Sequence, residues 1–446
     1  MKSAQAKEDM FPMWDVIVIG AGAAGLLAAI RAAEAGRRAL VLEKNLRPGV
    51  KILMSGGTRC NLTHATDERG IVAAFGSQGP FLHSALATLG PDQLVELFHR
   101  EGVSTKVEPG GKVFPESNRA ADVVAALSRR LARSGAHVSL GEPVRSLTPG
   151  AECIEAVTSR QAILGRNVIV TTGGQSYPGC GTTGDAYDWA RQLGHTVVAP
   201  RPALTPVLAA VPWVEELSGV TVSDARVSVV PATRASASSS EQSAARRKAD
   251  RSTPATARGS LLFTHFGLSG PAVLDVSRAV SGAADPQSLA LCCDFLPAES
   301  EDEFIRWLDA QCAAGGGRQI DTVVAERLPR RLSQTLLALV AVPAERRAAE
   351  VSRADRRRLG EAVKRCLIPV RGVMGFRKAE VTAGGVDLRE VDSRTMQSKL
   401  VPGLFFAGEV LDLDGPIGGY NFQAAFSTGW LAGSSACRSE PSGTRC

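Results

Sequence analysis

A chain of 446 residues, 44% hydrophobic and 22% charged, has room for about three domains and the composition of a globular protein, which excludes disordered, fibrous and collagen-like classes. The net charge is +6, from 51 Lys and Arg against 45 Asp and Glu; where that charge sits says more than its size. Nine cysteines, an odd number with no CxxC and no Cys/His metal spacing, fit a reducing cytoplasm and speak against structural zinc, a redox dithiol or any other metal site.

Residues 16–30 are an uncharged apolar run of 15 residues between Asp15 and Arg31, short of the about 18 to 20 that span a bilayer. A later uncharged stretch, 415–437, carries Asn421, Gln423 and five glycines. Neither reads as a membrane span. Residues 14–25, WDVIVIGAGAAG, read instead as a β-branched strand, then Gly20, Gly22 and Gly25 in GxGxxG spacing, then an alanine-rich helix. Such glycines permit a tight turn and close approach of a pyrophosphate to a helix N-terminus. A second strand over 38–42 ends in Glu43, 23 residues after Gly20, where an acid accepts from a ribose hydroxyl. Strand, motif, helix, strand and acid in this order predict dinucleotide binding.

The chain continues with a Gly-rich segment around Ser55 to Asn61 and a buried-type strand at 167–170 that ends in Thr172, Gly173 and Gly174. Residues 220–230 and 261–263 read as strands, separated by an Ala/Ser/Arg-rich segment, 234–260, that reads as a mobile surface loop. Residues 196–297 with a returning strand near 366–373 would form a small β domain. Phe304, Trp307, Leu308 and Cys312, then Leu332, Leu336 and Leu337, recur at helical spacing and place a helical insert at 298–358. Within it and just beyond, 318–365 holds twelve basic and six acidic residues, a surplus equal to that of the whole chain. The C-terminal part returns with a strand at 403–412 carrying Gly408 and Glu409, then Gly418, Gly419, Tyr420, Asn421 and Gln423 ahead of an apolar helix. No second GxGxxG exists, so a nicotinamide has no Rossmann domain of its own. This arrangement favours FAD over a simple NAD dehydrogenase.

The strings KILMSGGTRCNLTH (51–64), GKVFP (111–115), TTGGQSYPGCGTTGDAYDWA (171–190), LFTHFGLSGPAVLDVS (262–277), AEVTAGGVDLREVDSRTMQSK (379–399) and GLFFAGEVLDLDGPIGGYNFQAAFSTG (403–429) resemble the BaiN/RdsA family of NAD(P)/FAD-dependent oxidoreductases, nearly end to end. The resemblance implies an α/β fold: a Rossmann-like FAD-binding domain, discontinuous over 13–195 and 376–437, with an inserted β-barrel over 196–297 and 359–375 and the helical insert. Thr58 departs from it, standing where a third glycine is expected. It also implies FAD and NAD(P)H as cofactors and a cytoplasmic reductase that reduces a carbonyl-conjugated C=C bond. The substrate would be uridine in large-subunit ribosomal RNA, gripped by the basic segment 318–365, or a small enone such as a dehydro-steroid. A flavin-containing RNA-binding protein without enzymatic activity is the remaining alternative.

Site expectations follow. FAD contacts fall to Gly20, Gly22, Ala23, Ala24, Gly25, Glu43, Lys44, Lys51, Ser55, Gly56, Gly57, Arg59, Cys60, Asn61, Thr172, Gly173, Gly174, Gly408, Glu409, Gly418, Gly419, Tyr420, Asn421 and Gln423. Cys60 is either a small buried side chain or, with its thiol acidified by Arg59 and a helix start, a proton donor. His265 and Tyr420 are further catalytic candidates. His64 is a weaker one, and Tyr177 and Tyr187 stack on rings or fill the core.

Overall fold

The computed structural model describes residues 13–232, 255–314 and 317–438, and the chain divides into two compact units, Met1–Arg201 with Glu380–Cys446, and Pro202–Ala379. The unit boundaries fall a few residues later than the sequence reading put them, because the strand Val197–Ala203 pairs with Val381–Val386.

The first unit is built on a seven-stranded sheet with Trp14–Ile19 near its centre, flanked by Ala39–Glu43 and Ala162–Val170 in parallel. Val16, Ile17, Val18 and Ile19 are all buried, as a parallel strand covered on both faces requires. Leu404–Phe406 adds in parallel to Ala162–Val170, so the late C-terminal strand completes a sheet begun at the N-terminus. A small sheet of Thr63–His64, Lys112–Pro115 and Thr105–Glu108 stands apart from it.

Two helices, Ala23–Glu34 and Tyr420–Ala436, pack closely on one another. A Cβ at Gly429 would overlap the Ala24 carbonyl and one at Gly433 the Ala28 carbonyl; only glycine lets the backbones approach this near. Contacts advance by four residues on both helices, so the two run parallel. Arg31 Nε donates to Ser434 Oγ at 3.0 Å, and the Arg31 guanidinium lies 5.5 Å from the Trp430 ring centre.

The second unit contains a closed antiparallel barrel of six strands, in the order Val207–Ala209, Gly267–Ser269, Thr256–Thr264, Thr221–Pro231, Leu289–Asp294 and Cys366–Val373. The segment expected as a loop is cut short, since strand structure starts at Thr256; residues 233–254 lie outside the described residues. The helices Glu301–Ala314, Ile320–Val324, Arg330–Leu339 and Arg353–Lys364 connect the last two barrel strands. They are no separate domain: Phe304, Leu308, Leu332, Leu336 and Leu359 share one apolar core with Phe263, Leu291 and Ile368 of the barrel. The helical stretch also runs on to Lys364, whose ammonium pairs with Asp294 at 2.8 Å. No helix of the described residues is long and apolar enough to cross a membrane.

Gly433→Val should lower the stability of the first unit by about 1–3 kcal/mol, the usual cost of overpacking, read as a lower urea midpoint. An unchanged midpoint would mean that the helix pair is not packed backbone to backbone.

Candidate active site

The turn after the first strand is closed by contact: a Cβ at Gly25 would overlap the Gly20 carbonyl. Gly22 is the opposite case, with nothing within 4 Å of where its Cβ would lie. Glu43, at the end of the neighbouring strand, accepts from the Ala21 backbone N–H at 2.6 Å through one oxygen and from the Asn45 backbone and side chain at 2.8 Å through the other. It therefore sits at the turn, and an ionised carboxylate with about four acceptor positions keeps capacity for a hydroxyl. Lys44 turns away, pairing with Asp185 at 2.5 Å and donating to Thr183; its expected cofactor contact is replaced by this ion pair.

A second group of residues meets around Glu409. Lys51 forms an ion pair with it, Ser176 Oγ donates to it at 2.6 Å, and the Thr382 backbone N–H donates at 2.9 Å. Thr382 Oγ1 in turn accepts from the backbone N–H groups of Gln175 and Ser176. Four segments far apart in sequence are thus tied at one carboxylate, just beyond Thr172, Gly173 and Gly174. Ser176 and Thr382, both fully buried, escaped the sequence reading because single hydroxyls beside glycines carry no spacing signal. Glu380 and Tyr177, discussed below, escaped it too: Tyr177 was one of several aromatic candidates and Glu380 none at all.

The third group is the loop that ends the helix Val50–Thr58. Gly56, Gly57 and Thr58 are all left-handed, with φ of 55, 65 and 68°, which accounts for the glycine expected at Thr58, since a β-branched residue is strained there. Ser55 Oγ donates to the Ile52 carbonyl at 2.7 Å and serves the helix end. Arg59 forms an ion pair with Glu108 at 2.7 Å and lies 4.0 Å over the Phe114 ring. It does not acidify Cys60. That thiol is fully buried, and burial pushes it up to about 12, the reverse of the expected lowering.

Opposite this loop, Gly418 and Gly419 lead into the helix Tyr420–Ala436. A Cβ at Gly419 would lie 2.8 Å from Asn61 Oδ1, so the two segments touch. The Tyr420 ring stacks on His64, with centres 4.6 Å apart and planes 19° apart, and His64 Nδ1 lies 3.1 Å from the Gly418 carbonyl oxygen. Asn421 and Gln423 have other work than the contacts expected of their side chains: Asn421 bonds to Gly415 at 2.8 and 2.9 Å, and buried Gln423 bonds to Thr63, Leu89 and Ser427. His265 belongs to the other unit, exposed at a barrel hairpin with its ring against Phe266; it does not join the cluster of Cys60, His64 and Tyr420. Tyr187 is a buried core residue.

These residues fit a dinucleotide with a flavin end. Both parallel helices begin at a glycine, Gly22 and Gly419, with no side-chain cap and no acid in the first turn, which leaves positive, donor-rich ends for an anionic ligand. With Gly429 level with Ala24, the second of these ends lies about 12 Å beyond the first at 1.5 Å per residue. Along the strip Thr172 Oγ1 and Asn61 Oδ1 are buried without a hydrogen-bond partner, groups that a ligand would satisfy. Among the described residues no group of three or more His, Cys, Asp or Glu could hold a metal ion.

The fold and this strip define an oxidoreductase with a Rossmann-like FAD-binding domain. The chain belongs to the HI0933-like protein Rossmann domain family, whose model matches residues 14–435. It is 33% identical over 418 residues to the ribosomal RNA dihydrouridine synthase of Escherichia coli strain K12, covering 94% of this chain and 96% of that protein. It is 30% identical over 426 residues to a 3-dehydro-bile acid delta(4,6)-reductase of Clostridium scindens, covering 94% and 98%. Among solved structures, a 3-ketosteroid-delta4-(5alpha)-dehydrogenase from Rhodococcus jostii RHA1 aligns over 97% of this chain and 99% of that one, with a TM-score of 0.47 and 16% identity.

Because the space beyond Gly22 is open, Gly22→Val should fold with close to parental stability yet lose bound FAD, measured as flavin released per chain on denaturation. Full flavin content in the folded variant would contradict the placement of the pyrophosphate at this turn.

Proposed function

We propose that the protein is a cytoplasmic reductase that takes electrons from NAD(P)H and converts uridine to dihydrouridine in large-subunit ribosomal RNA. The observation that carries this reading is the pair of parallel, uncapped helix N-termini joined by the strip from Glu43 to Asn61, in a chain 33% identical over 418 residues to a protein named for that reaction.

FAD, when bound, supplies a two-electron step from a reduced nicotinamide to an electron-poor carbon. The chain's own residues supply the rest. The amides of the Gly20–Ala24 turn and Glu43 hold the adenosine diphosphate end. The Lys51–Ser176–Glu409 group fixes the middle of the strip, and the amides at the start of Tyr420–Ala436 stabilise negative charge on the ring that they face. Stacked His64 and Tyr420 offer a flat wall for a planar base or ring.

Uracil and a steroid enone are the same chemical problem, a C=C bond conjugated to a carbonyl. The bile-acid reductase relative, at 30% identity, keeps the small enone as the second reading. The insert favours RNA through fewer residues than the charge tally suggested. Arg356 is held by Asp309 at 2.8 Å, Arg358 by Asp355 at 2.5 Å, and Arg330 by Asp321 at 3.1 Å; these ion pairs hold the helices together. Arg347, Arg353 and Arg357 are exposed without an ion pair among the described residues, and phosphate contacts with their counterion release fall to them.

Nucleoside analysis of ribosomal RNA from cells with and without the gene tests the reading. The large-subunit RNA of the deletion strain should lack dihydrouridine at a position modified in the parent. Identical modification in both strains would remove the RNA substrate and leave the enone.

A further inference from the structure

Glu380 stands two residues before Thr382, the residue whose N–H donates to Glu409. Its backbone carbonyl lies 3.3 Å from Ser176 Oγ, so its position is tied to the same knot. Its side chain is partly exposed and makes no ion pair or hydrogen bond among the described residues. Three titratable groups act on it or feel it: Lys51 from the helix Val50–Thr58, Lys112 from the strand Lys112–Pro115, and Tyr177 from the loop after Gly174. Lys51 is committed to Glu409 and Ser176, and Cys180 lies on the far side of Tyr177. Tyr177 is held at a left-handed φ of 53°; such a conformation costs roughly 1–3 kcal/mol, and the surrounding structure keeps it there.

Resting on the reductase reading above, we infer that Glu380 is the proton donor of the reaction, delivering its carboxyl proton to the carbon next to the substrate carbonyl. The step balances as follows. Hydride adds to the carbon β to the carbonyl, the π pair of the C=C bond moves to the α carbon, and the Glu380 O–H bond breaks to form the α C–H bond. The carboxylate left behind takes a proton from water, and a reduced nicotinamide is the two-electron reductant consumed.

Burial holds the Glu380 carboxyl above the usual carboxylate range against the pull of both lysines, so it keeps its proton at pH values where an exposed glutamate has lost it. The other acids nearby are poorer. The Cys60 thiol, pushed up to about 12 and fully buried, has no route to water for reloading. The Tyr177 phenol is also pushed up by burial and by the Glu380 charge. Proton transfer is fastest from an acid matched to the working pH, and the partly exposed carboxyl fits that best.

The test uses full-length, FAD-loaded parent, Glu380→Gln and Glu380→Asp, each reduced chemically without oxygen. The probes are dihydrouridine-free ribosomal RNA and cyclohexenone. Glu380→Gln should bind FAD and be reduced by NAD(P)H like the parent, but its reoxidation by the probe should slow by roughly 10²- to 10⁴-fold, with part of the rate returned in Glu380→Asp. The parental rate should fall as pH rises through the carboxyl's titration, and that dependence should vanish in Glu380→Gln. Independently of turnover, the infrared carbonyl band of a protonated carboxyl, present in the parent and absent in Glu380→Gln, should persist above the range of an exposed glutamate, about 4.3. A Glu380→Gln variant reoxidised at the parental rate overturns the inference alone, as does a band lost in the ordinary carboxylate range. Failure of both probes to reoxidise the parent overturns the reductase reading, and the inference with it.

Discussion

The backbone contact between the helices Ala23–Glu34 and Tyr420–Ala436 governs where the rest of the site lies. Gly429 rests on the Ala24 carbonyl and Gly433 on that of Ala28, and with no side chain between them the C-terminal helix is fixed in register and direction against the N-terminal one. Because the pair is parallel, both positive ends point the same way, and the stagger of about 12 Å separates a phosphate-binding end from a ring-facing end. The strands follow: Leu404–Phe406, just before this helix, can only add beside Ala162–Val170. A domain interrupted in sequence by more than 170 residues of a second unit is thereby a single unit in space.

Electrostatics work within that frame. Glu409 is compensated by a lysine, a hydroxyl and an amide, so a buried negative charge is anchored and anchors in turn. Glu380, a few residues earlier in the chain, lacks such partners, and its carboxyl is held up by burial. Two glutamates in neighbouring surroundings are therefore driven toward different protonation states, the arrangement by which a site separates a structural carboxylate from an acid that can give up a proton. The same sorting applies to the arginines of the insert. Arg318, Arg327, Arg330, Arg356 and Arg365 are held by Glu326, Glu299, Asp321, Asp309 and Glu301, and only part of the formal surplus faces a partner.

Much of this was legible in the sequence where chemistry is local. The GxGxxG turn, the strand ending in Glu43, the barrel strands at 220–230 and 366–373 and the amphipathic helices each announce themselves through spacing within one element. What stayed hidden depends on partners that only the fold supplies. Arg59 looked like an activator of Cys60 because the two are adjacent in sequence; in space the guanidinium turns to Glu108 and Phe114, and burial decides the thiol. Asn421 and Gln423 looked like ligands because they follow two glycines, but their amides close the loop and the core instead. Lys44 found Asp185, more than a hundred residues away. The helical insert read as a domain because its apolar positions repeat, yet those positions complete the barrel's core.

The central claim is that one extended dinucleotide runs from the turn at Gly22 to the helix start at Gly419. A crystal structure of the protein with FAD tests it most directly. The account requires the pyrophosphate against the amides of Gly22 and Ala23, the ribose within reach of Glu43, and the flavin ring at the start of Tyr420–Ala436. A flavin ring at Glu43, or a pyrophosphate away from Gly22, would contradict it.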